Sequence, residues 1–146
     1  MGSTAPEAEH VDVLIVGGGP VGLITAYQLA LTLPHADKRI RIIEQHPKSS
    51  QDKYSRAIAL FPRTSEVLDQ LGLADALAQQ CFACQSSASA VWDFALVLRQ
   101  KYQEEVFRTA LKEKGIMLEA PVTLVDVAVD EGLKKGRVSQ HSYGPR

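Results

Sequence analysis

The 146-residue chain lacks a large net charge and a long apolar run. The first absence argues against a protein that binds nucleic acid or a membrane surface, and the second against a protein that spans a membrane. Its formal net charge is −1, so it lacks the large positive field that holds nucleic acid or an anionic membrane surface. No apolar run approaches the roughly 20 residues that cross a bilayer. The first ten residues, MGSTAPEAEH, have no apolar core like that of a secretory signal, so the expected location is cytoplasmic.

Cysteine is scarce as well, because the chain contains only Cys81 and Cys84, in the pair CFAC. A zinc site needs two further ligands, and the four histidines show no paired spacing that would supply them. No metal is therefore expected. A redox pair stays open as an alternative. The favoured interpretation is two small apolar residues near a helix end, since free cysteine usually behaves as a small buried hydrophobe.

The remaining composition is that of a globular domain, with 45% hydrophobic and 23% charged residues. Residues 1–10 are small and polar, which predicts a disordered N-terminal tail. Apolar patterning then runs over residues 11–130 and stops, so residues 131–146 are predicted to form an irregular C-terminal tail. A chain of this length can bury about 70% of its unfolded surface, which is enough for one domain with a core.

The clearest periodicity, over residues 11–44, predicts a strand, a glycine turn, a helix and a second strand. Val11 to Val16 is a run of mostly β-branched apolar residues broken only by Asp12, which suits a strand that is buried on both faces. Apolar residues at helical spacing continue from Pro20 to Leu33, where a proline follows. A βαβ unit of this length is typical of a parallel sheet in an α/β fold. Further helices are predicted over 62–73, 73–80 and 100–114, further strands over 94–98, 115–120 and 122–129, and irregular chain over 45–61 and 81–92.

The turn between the first strand and the helix has the spacing Gly17-x-Gly19-x-x-Gly22. Gly17 allows the sharp turn, Gly19 lets a pyrophosphate approach the backbone, and Gly22 lets the helix pack closely on the sheet. The amide groups at the start of the helix then attract the anion. Pro20 fits the first helical turn because its missing N–H is not needed there. The spacing therefore predicts a dinucleotide site.

Glu44 stands at the end of the second predicted strand and follows Gly22 by 22 residues. An acidic residue about 20 positions after the glycines is placed to accept hydrogen bonds from an adenosine ribose. Its charge disfavours a 2′-phosphate, so we expect FAD or NAD(H) at this site and not NADP(H). The alternative is a glycine-rich turn without a ligand, beside a solvated glutamate.

Four segments narrow this choice, because together they resemble the N-terminal part of the flavoprotein aromatic hydroxylases. These are single-component FAD monooxygenases related to phenol 2-monooxygenase and pentachlorophenol monooxygenase. The resemblance covers roughly residues 11–130 and implies an α/β fold, with a Rossmann-like FAD-binding βαβ domain and a three-layer parallel sheet. The segments are DVLIVGGGPVGLITAYQLA, IRIIEQHP, SRAIALFPRTSEVLDQLGL and LRQKYQEEVFRTALKEKG.

The resemblance also implies a set of residues that bind FAD. Arg56 matches an arginine along the flavin side, and its guanidinium offers a fork of donors. Gln100 matches a glutamine that touches FAD. The alternative for Arg56 is a solvated arginine in a loop. The alternative for Gln100 is a neighbour of a helix N-cap without a contact to FAD. The remaining implied contacts are with the pyrophosphate (Gly17, Gly18, Gly19, Pro20, Val21 and Gly22) and with the adenosine ribose (Glu44 and Gln45).

The activity implied by the resemblance is hydroxylation of a small aromatic substrate with NAD(P)H and O₂. No catalytic acid or base can be named, because the flavin carries the chemistry in this family. One alternative is a remnant that binds FAD or ADP without turnover. Another is an NAD-dependent dehydrogenase domain, against which the stretch RTSEVLDQLGL argues. The oligomeric state is left open.

The sequence also departs from the family pattern at three places. The family continues into a second FAD motif with a Gly-Asp pair, and no such motif follows residue 130. The stretch between Cys84 and Val91 is short, and the residues after Gly132 do not resemble the family. We therefore expect the FAD-binding domain to be incomplete, as in a truncated chain.

Overall fold

A computed structural model describes residues 10–47, 49, 56–85, 94–130 and 135–142, and the expected disordered tail lies almost entirely outside these ranges. Five helices occur in them: α1 (Pro20–Thr32), α2 (Ala36–Arg39), α3 (Pro62–Gln70), α4 (Ala74–Ala78) and α5 (Gln100–Glu113). The same ranges contain eight strands: β1 (Val13–Val16), β2 (Ile40–Ile43), β3 (Ala57–Leu60), β4 (Phe82–Gln85), β5 (Phe94–Arg99), β6 (Leu118–Glu119), β7 (Val122–Asp130) and β8 (Lys135–Ser142).

The strands β1, β2 and β6 form a parallel sheet in the order β1-β2-β6. Val13 lies opposite Ile40 in the first pair, and Ile42 lies opposite Leu118 in the second. Three of the four side chains of β2 are buried, as expected for a central strand whose two faces are covered. Because α1 connects β1 to the parallel β2, the predicted βαβ unit and the α/β fold class are confirmed.

Two further sheets are antiparallel and correct three of the expectations from sequence. The sheet β3-β5-β4 places β3 in the predicted loop 45–61 and β4 in the predicted irregular stretch 81–92. The hairpin β7-β8 places a strand over residues 135–142, where we expected an irregular tail. These strands have weak local patterns, and their backbone hydrogen bonds come from partner strands elsewhere in the chain.

The core lies between α1, α5 and β2 and extends to α3, α4, β3 and β5. Leu23 and Ala26 of α1, Ile42 of β2, and Phe107 and Leu111 of α5 are almost fully buried. Their spacing of three or four positions along each helix places them on one face, which is why both helices were predictable. This packing fixes α1, whose first turn is part of the site described next.

Cys81 of the CFAC pair agrees with the interpretation of a small buried residue near a helix end. Cys81 follows the end of α4 and is half-buried, and its thiol donates a hydrogen bond to the carbonyl oxygen of Leu77 at 2.8 Å. Burial raises the pKa of the Cys81 thiol. Within the described ranges, no three His, Cys, Asp or Glu side chains are grouped so that they could hold a metal ion.

Candidate cofactor-binding site

The glycine turn leaves β1 at Val16 and enters α1 at Pro20. Gly17 has φ +113°, a left-handed backbone conformation that side chains other than hydrogen rarely allow. Its N–H donates a hydrogen bond to the carbonyl oxygen of Ile43 at 2.8 Å, which anchors the turn to the end of β2. The sharp turn predicted at Gly17 is therefore confirmed, and β2 holds it in place.

Gly22 brings α1 against the turn itself. A Cβ atom at Gly22 would lie 2.0 Å from the carbonyl oxygen of Gly17 and 3.2 Å from the Cγ2 atom of Ile15. No side chain fits there unless the helix moves off the strand. The close approach of helix and sheet that the spacing predicted is confirmed.

Gly18 has a packing role that the sequence did not indicate. A Cβ atom there would lie 2.7 Å from the side chain of Leu118 and 3.0 Å from the Cβ atom of Glu44. Leu118 belongs to β6 and is 100 positions further along the chain. No local pattern could have indicated this contact, because β6 comes next to the turn only through its pairing with β2.

Gly19, by contrast, faces open space. No heavy atom of the described residues lies within 4 Å of a Cβ atom built there, apart from its chain neighbours. Gly19 borders an open cavity of about 380 Å³, and Val21 beside it is 78% exposed. The cavity is lined by the end of β1 and the first turns of α1, at Ile15, Val16, Gly17, Gly19, Pro20, Val21, Gly22 and Thr25.

The start of α1 makes this cavity suitable for an anion. Helix geometry leaves the first N–H groups without a partner inside the helix. Of the described side chains, none caps α1, and its first turn contains no acidic residue. The positive end of the helix dipole and the free amides therefore point to the open side of the turn, which suits a phosphate group.

Glu44 ties the turn to the end of β2. One carboxylate oxygen accepts a hydrogen bond from the N–H of Gly18 at 2.8 Å, and the other accepts one from the N–H of His46 at 2.8 Å. Each oxygen keeps a second lone pair, so the carboxylate can still accept hydrogen bonds from a ribose. The predicted ribose contact remains a prediction, and the clamp on Gly18 is a further role that the sequence did not indicate.

The strand β6 consists of Leu118 and Glu119, and Glu119 forms an ion pair with β2. Its carboxylate accepts hydrogen bonds from both the Nε and an Nη atom of Arg41, each at 2.6 Å. The backbone N–H of Glu44 also donates to the carbonyl oxygen of Glu119 at 2.9 Å. This bidentate pair fastens β6 to β2, the strand that Glu44 follows.

Gln45 lies next to Glu44, beyond the end of β2, and is exposed. Its side-chain amide lies 3.1 Å from the Nε2 atom of His46. Gln45 is thus at the same edge of the sheet as Glu44, where the resemblance placed it beside the ribose. That contact stays a prediction.

Arg56 and Gln100 meet at the end of the antiparallel sheet. The N–H of Gln100 donates a hydrogen bond to the carbonyl oxygen of Arg56 at 2.8 Å. Arg56 is exposed, and the Nε2 atom of Gln100 donates to Glu104 at 2.8 Å. In the described ranges, no hydrogen bond joins this pair to the glycine turn. The predicted FAD-binding residues therefore lie in two separate groups, one at the turn and one formed by Arg56 and Gln100.

A parallel βαβ unit with this turn and an acidic residue after the second strand defines a dinucleotide-binding fold of the Rossmann type. The family model of the FAD binding domain matches residues 10–120. The chain therefore belongs to the FAD binding domain family, and FAD, the dinucleotide that the resemblance implied, is confirmed.

Curated relatives agree with this family. The chain is 33% identical over 141 residues to 6-methylpretetramide 4-monooxygenase of Streptomyces rimosus, covering 84% of this chain and 24% of that protein. It is 38% identical over 72 residues to para-nitrophenol 4-monooxygenase of Pseudomonas sp. strain WBC-3, covering 49% of this chain and 16% of that protein. The chain thus spans about a quarter or less of the length of these relatives. The resemblance to the aromatic hydroxylases is confirmed.

Solved structures show the same fold. p-Nitrophenol 4-monooxygenase of Pseudomonas putida superposes with a TM-score of 0.70 at 23% identity, over 83% of this chain and 34% of that one. Aklavinone-11 hydroxylase, solved with FAD and aklavinone, has a TM-score of 0.66 at 22% identity, over 92% of this chain and 30% of that one. None of the helices described for this chain combines the length and apolar character needed to cross a membrane.

Proposed function

We propose that this chain binds FAD, with the ADP part at the glycine turn, as part of a monooxygenase that hydroxylates a small aromatic compound with NAD(P)H and O₂ in the cytoplasm. The observation that carries the proposal is the turn from Gly17 to Gly22. Its fixed backbone leaves open space at Gly19, directly in front of the free amides of α1.

The residues of the turn fit an FAD pyrophosphate for electrostatic and steric reasons. The amides at the start of α1 would donate hydrogen bonds to the phosphate oxygens, and Gly19 leaves room for them. Glu44, held at both oxygens, would accept hydrogen bonds from the ribose hydroxyls, with Gln45 beside it. The same fixed negative charge would repel a 2′-phosphate, because the carboxylate cannot turn away without losing two hydrogen bonds.

Arg56 and Gln100 would meet the flavin half of FAD. The exposed guanidinium of Arg56 offers donors to phosphate or carbonyl oxygens, and Gln100 offers an amide. Bound FAD would supply the redox chemistry, and this chain's residues would bind and orient it. No described residue is assigned as a catalytic acid or base.

A second candidate function is a unit that binds FAD or ADP without turnover. The specific observation in its favour is that the cavity at the turn is lined by the end of β1, the turn and the first turns of α1, which would contact the ADP part of FAD. Consumption of NAD(P)H with O₂ by the purified chain separates the two functions. An NAD-dependent dehydrogenase is disfavoured, because the family match and the relatives are those of FAD proteins.

The first test is the visible absorption spectrum of the purified chain, recorded with and without added FAD. We expect a protein-bound flavin band in the wild type that is absent in Gly19→Trp, because the indole would fill the open cavity. Leu31→Trp is the matched control, since it adds the same side chain at an exposed position of α1, the helix that follows Gly19. A folded wild type without a flavin band, or a Gly19→Trp variant that keeps one, would contradict the proposal.

A further inference from the structure

Glu104 is a buried carboxylate that the contacts proposed above do not use. It lies on α5 and is only 5% exposed, whereas the side chain of its neighbour Glu105 is 55% exposed. Burying a carboxylate costs free energy unless it is paired and hydrogen-bonded. Its partners therefore indicate why an acidic residue lies inside the domain at this position.

Both partners of Glu104 lie one helical turn away on the same face of α5. The Nε2 atom of Gln100 donates a hydrogen bond to one carboxylate oxygen at 2.8 Å. An Nη atom of Arg108 lies 3.3 Å from the other oxygen. The three side chains form a row along the helix, and the row ends at Gln100, in the first turn.

The chemistry of this row determines how the amide of Gln100 is turned. A carboxylate only accepts hydrogen bonds, so the nitrogen of the amide must face Glu104. Rotating the amide by 180° would bring its oxygen against the carboxylate and cost the hydrogen bond as well. The oxygen of Gln100 is therefore held on the side away from Glu104, as an acceptor.

We infer that Glu104 is a positioning residue, which holds the amide oxygen of Gln100 ready to accept a hydrogen bond from a donor on the riboflavin part of FAD. This rests on the proposed function, in which Gln100 contacts FAD. The ligand group must be a hydroxyl or an N–H, because an acceptor would meet the oxygen and be repelled. ADP lacks the riboflavin part of FAD and so lacks this contact.

The test compares FAD and ADP binding to the full chain, by flavin fluorescence and by calorimetry. Glu104→Gln is nearly isosteric, but its amide can donate as well as accept, so the amide of Gln100 is free to turn. We expect the Kd for FAD to rise about tenfold, equivalent to about 1.4 kcal/mol, and the Kd for ADP to change less than about twofold. Glu105→Gln is the matched control, with the same substitution on the same helix.

A double variant separates positioning from a purely structural role. If Glu104 acts through Gln100, Glu104→Gln adds no further loss of FAD affinity in a Gln100→Ala background. Additive losses would overturn the inference, and so would equal losses for FAD and ADP. A wild type that binds ADP and FAD equally would also overturn it. A wild type that binds neither would instead contradict the proposed function, and this inference with it.

Glu104→Asp tests the same point if Glu104→Gln unfolds. It keeps a negative charge beside Arg108, but it is shorter by one methylene and cannot reach the amide of Gln100. We expect a weaker affinity for FAD with an unchanged affinity for ADP. A folded Glu104→Asp variant with the FAD affinity of the wild type would overturn the inference.

Discussion

The glycine turn consists of six consecutive residues, whereas Arg56 and Gln100 come from segments that meet only because β3 pairs with β5. The turn depends on backbone conformation at Gly17 and on close packing at Gly22. The second group depends on strand register, in which Ala57 lies opposite Arg99. The proposed FAD site thus combines a part encoded by local spacing with a part that strand pairing assembles.

The two parts also differ in what restrains their side chains. At the turn, backbone amides hold Glu44, and the neighbouring strand β6 restricts Gly18. At the second group, side chains restrain one another along α5, and Arg56 is exposed. Substitutions at the turn should therefore change the stability of the fold, and substitutions at Arg56 should change ligand affinity alone.

Gly22→Ala should have the largest effect on stability. Its Cβ atom would lie 2.0 Å from a backbone oxygen that cannot move without breaking the turn, so we expect a loss of about 3 kcal/mol in the free energy of unfolding. Urea titration measures this loss. The matched variant is Gly19→Ala, where space is open and the loss should stay below about 1 kcal/mol. Similar losses for the two variants would contradict the packing role of Gly22.

Glu44→Ala should come next. It leaves the N–H groups of Gly18 and His46 without their carboxylate partner, so we expect a loss of about 2 kcal/mol of stability together with weaker ADP binding. Glu44→Gln should lose less, since its amide oxygen can still accept one of the two hydrogen bonds. Hydrogen exchange at the Gly18 amide reports the clamp directly, in protein without ligand. Unchanged protection of that amide in Glu44→Ala would rule out the clamp.

Arg56→Ala should have the smallest effect on stability, below about 0.5 kcal/mol, because the side chain is exposed. The Kd for FAD should nevertheless rise about tenfold, while the Kd for ADP stays constant, since only the flavin half would reach Arg56. Lys112→Ala, which removes an exposed charge near the other end of α5, is the control. A parallel loss of ADP affinity would place Arg56 at the turn instead of the flavin side.

Much of the turn was predictable from sequence, since the tasks of Gly17 and Gly22 depend on near neighbours. Gly17 adopts the expected conformation, and Gly22 makes the expected contact with the residues just before it. Helices α1 and α5 were predictable for a similar reason, because their buried residues recur at helical spacing within one segment. The family resemblance was also carried by contiguous segments.

Other features depended on residues far apart in the chain and were missed or wrong. The strands β3, β4 and β8 lie where irregular chain was expected, because pairing supplies the hydrogen bonds that define such short strands. No spacing indicated that Leu118 packs on Gly18 or that Glu119 pairs with Arg41.

The sequence by itself determined the βαβ unit, the glycine turn and the family, because backbone preference and periodicity act over a few residues. The tertiary structure decided which strands pair, what encloses Gly18 and which way the amide of Gln100 is turned. Those outcomes depend on packing and on hydrogen bonds between segments, and such bonds form only when the rest of the domain brings the groups within reach of each other.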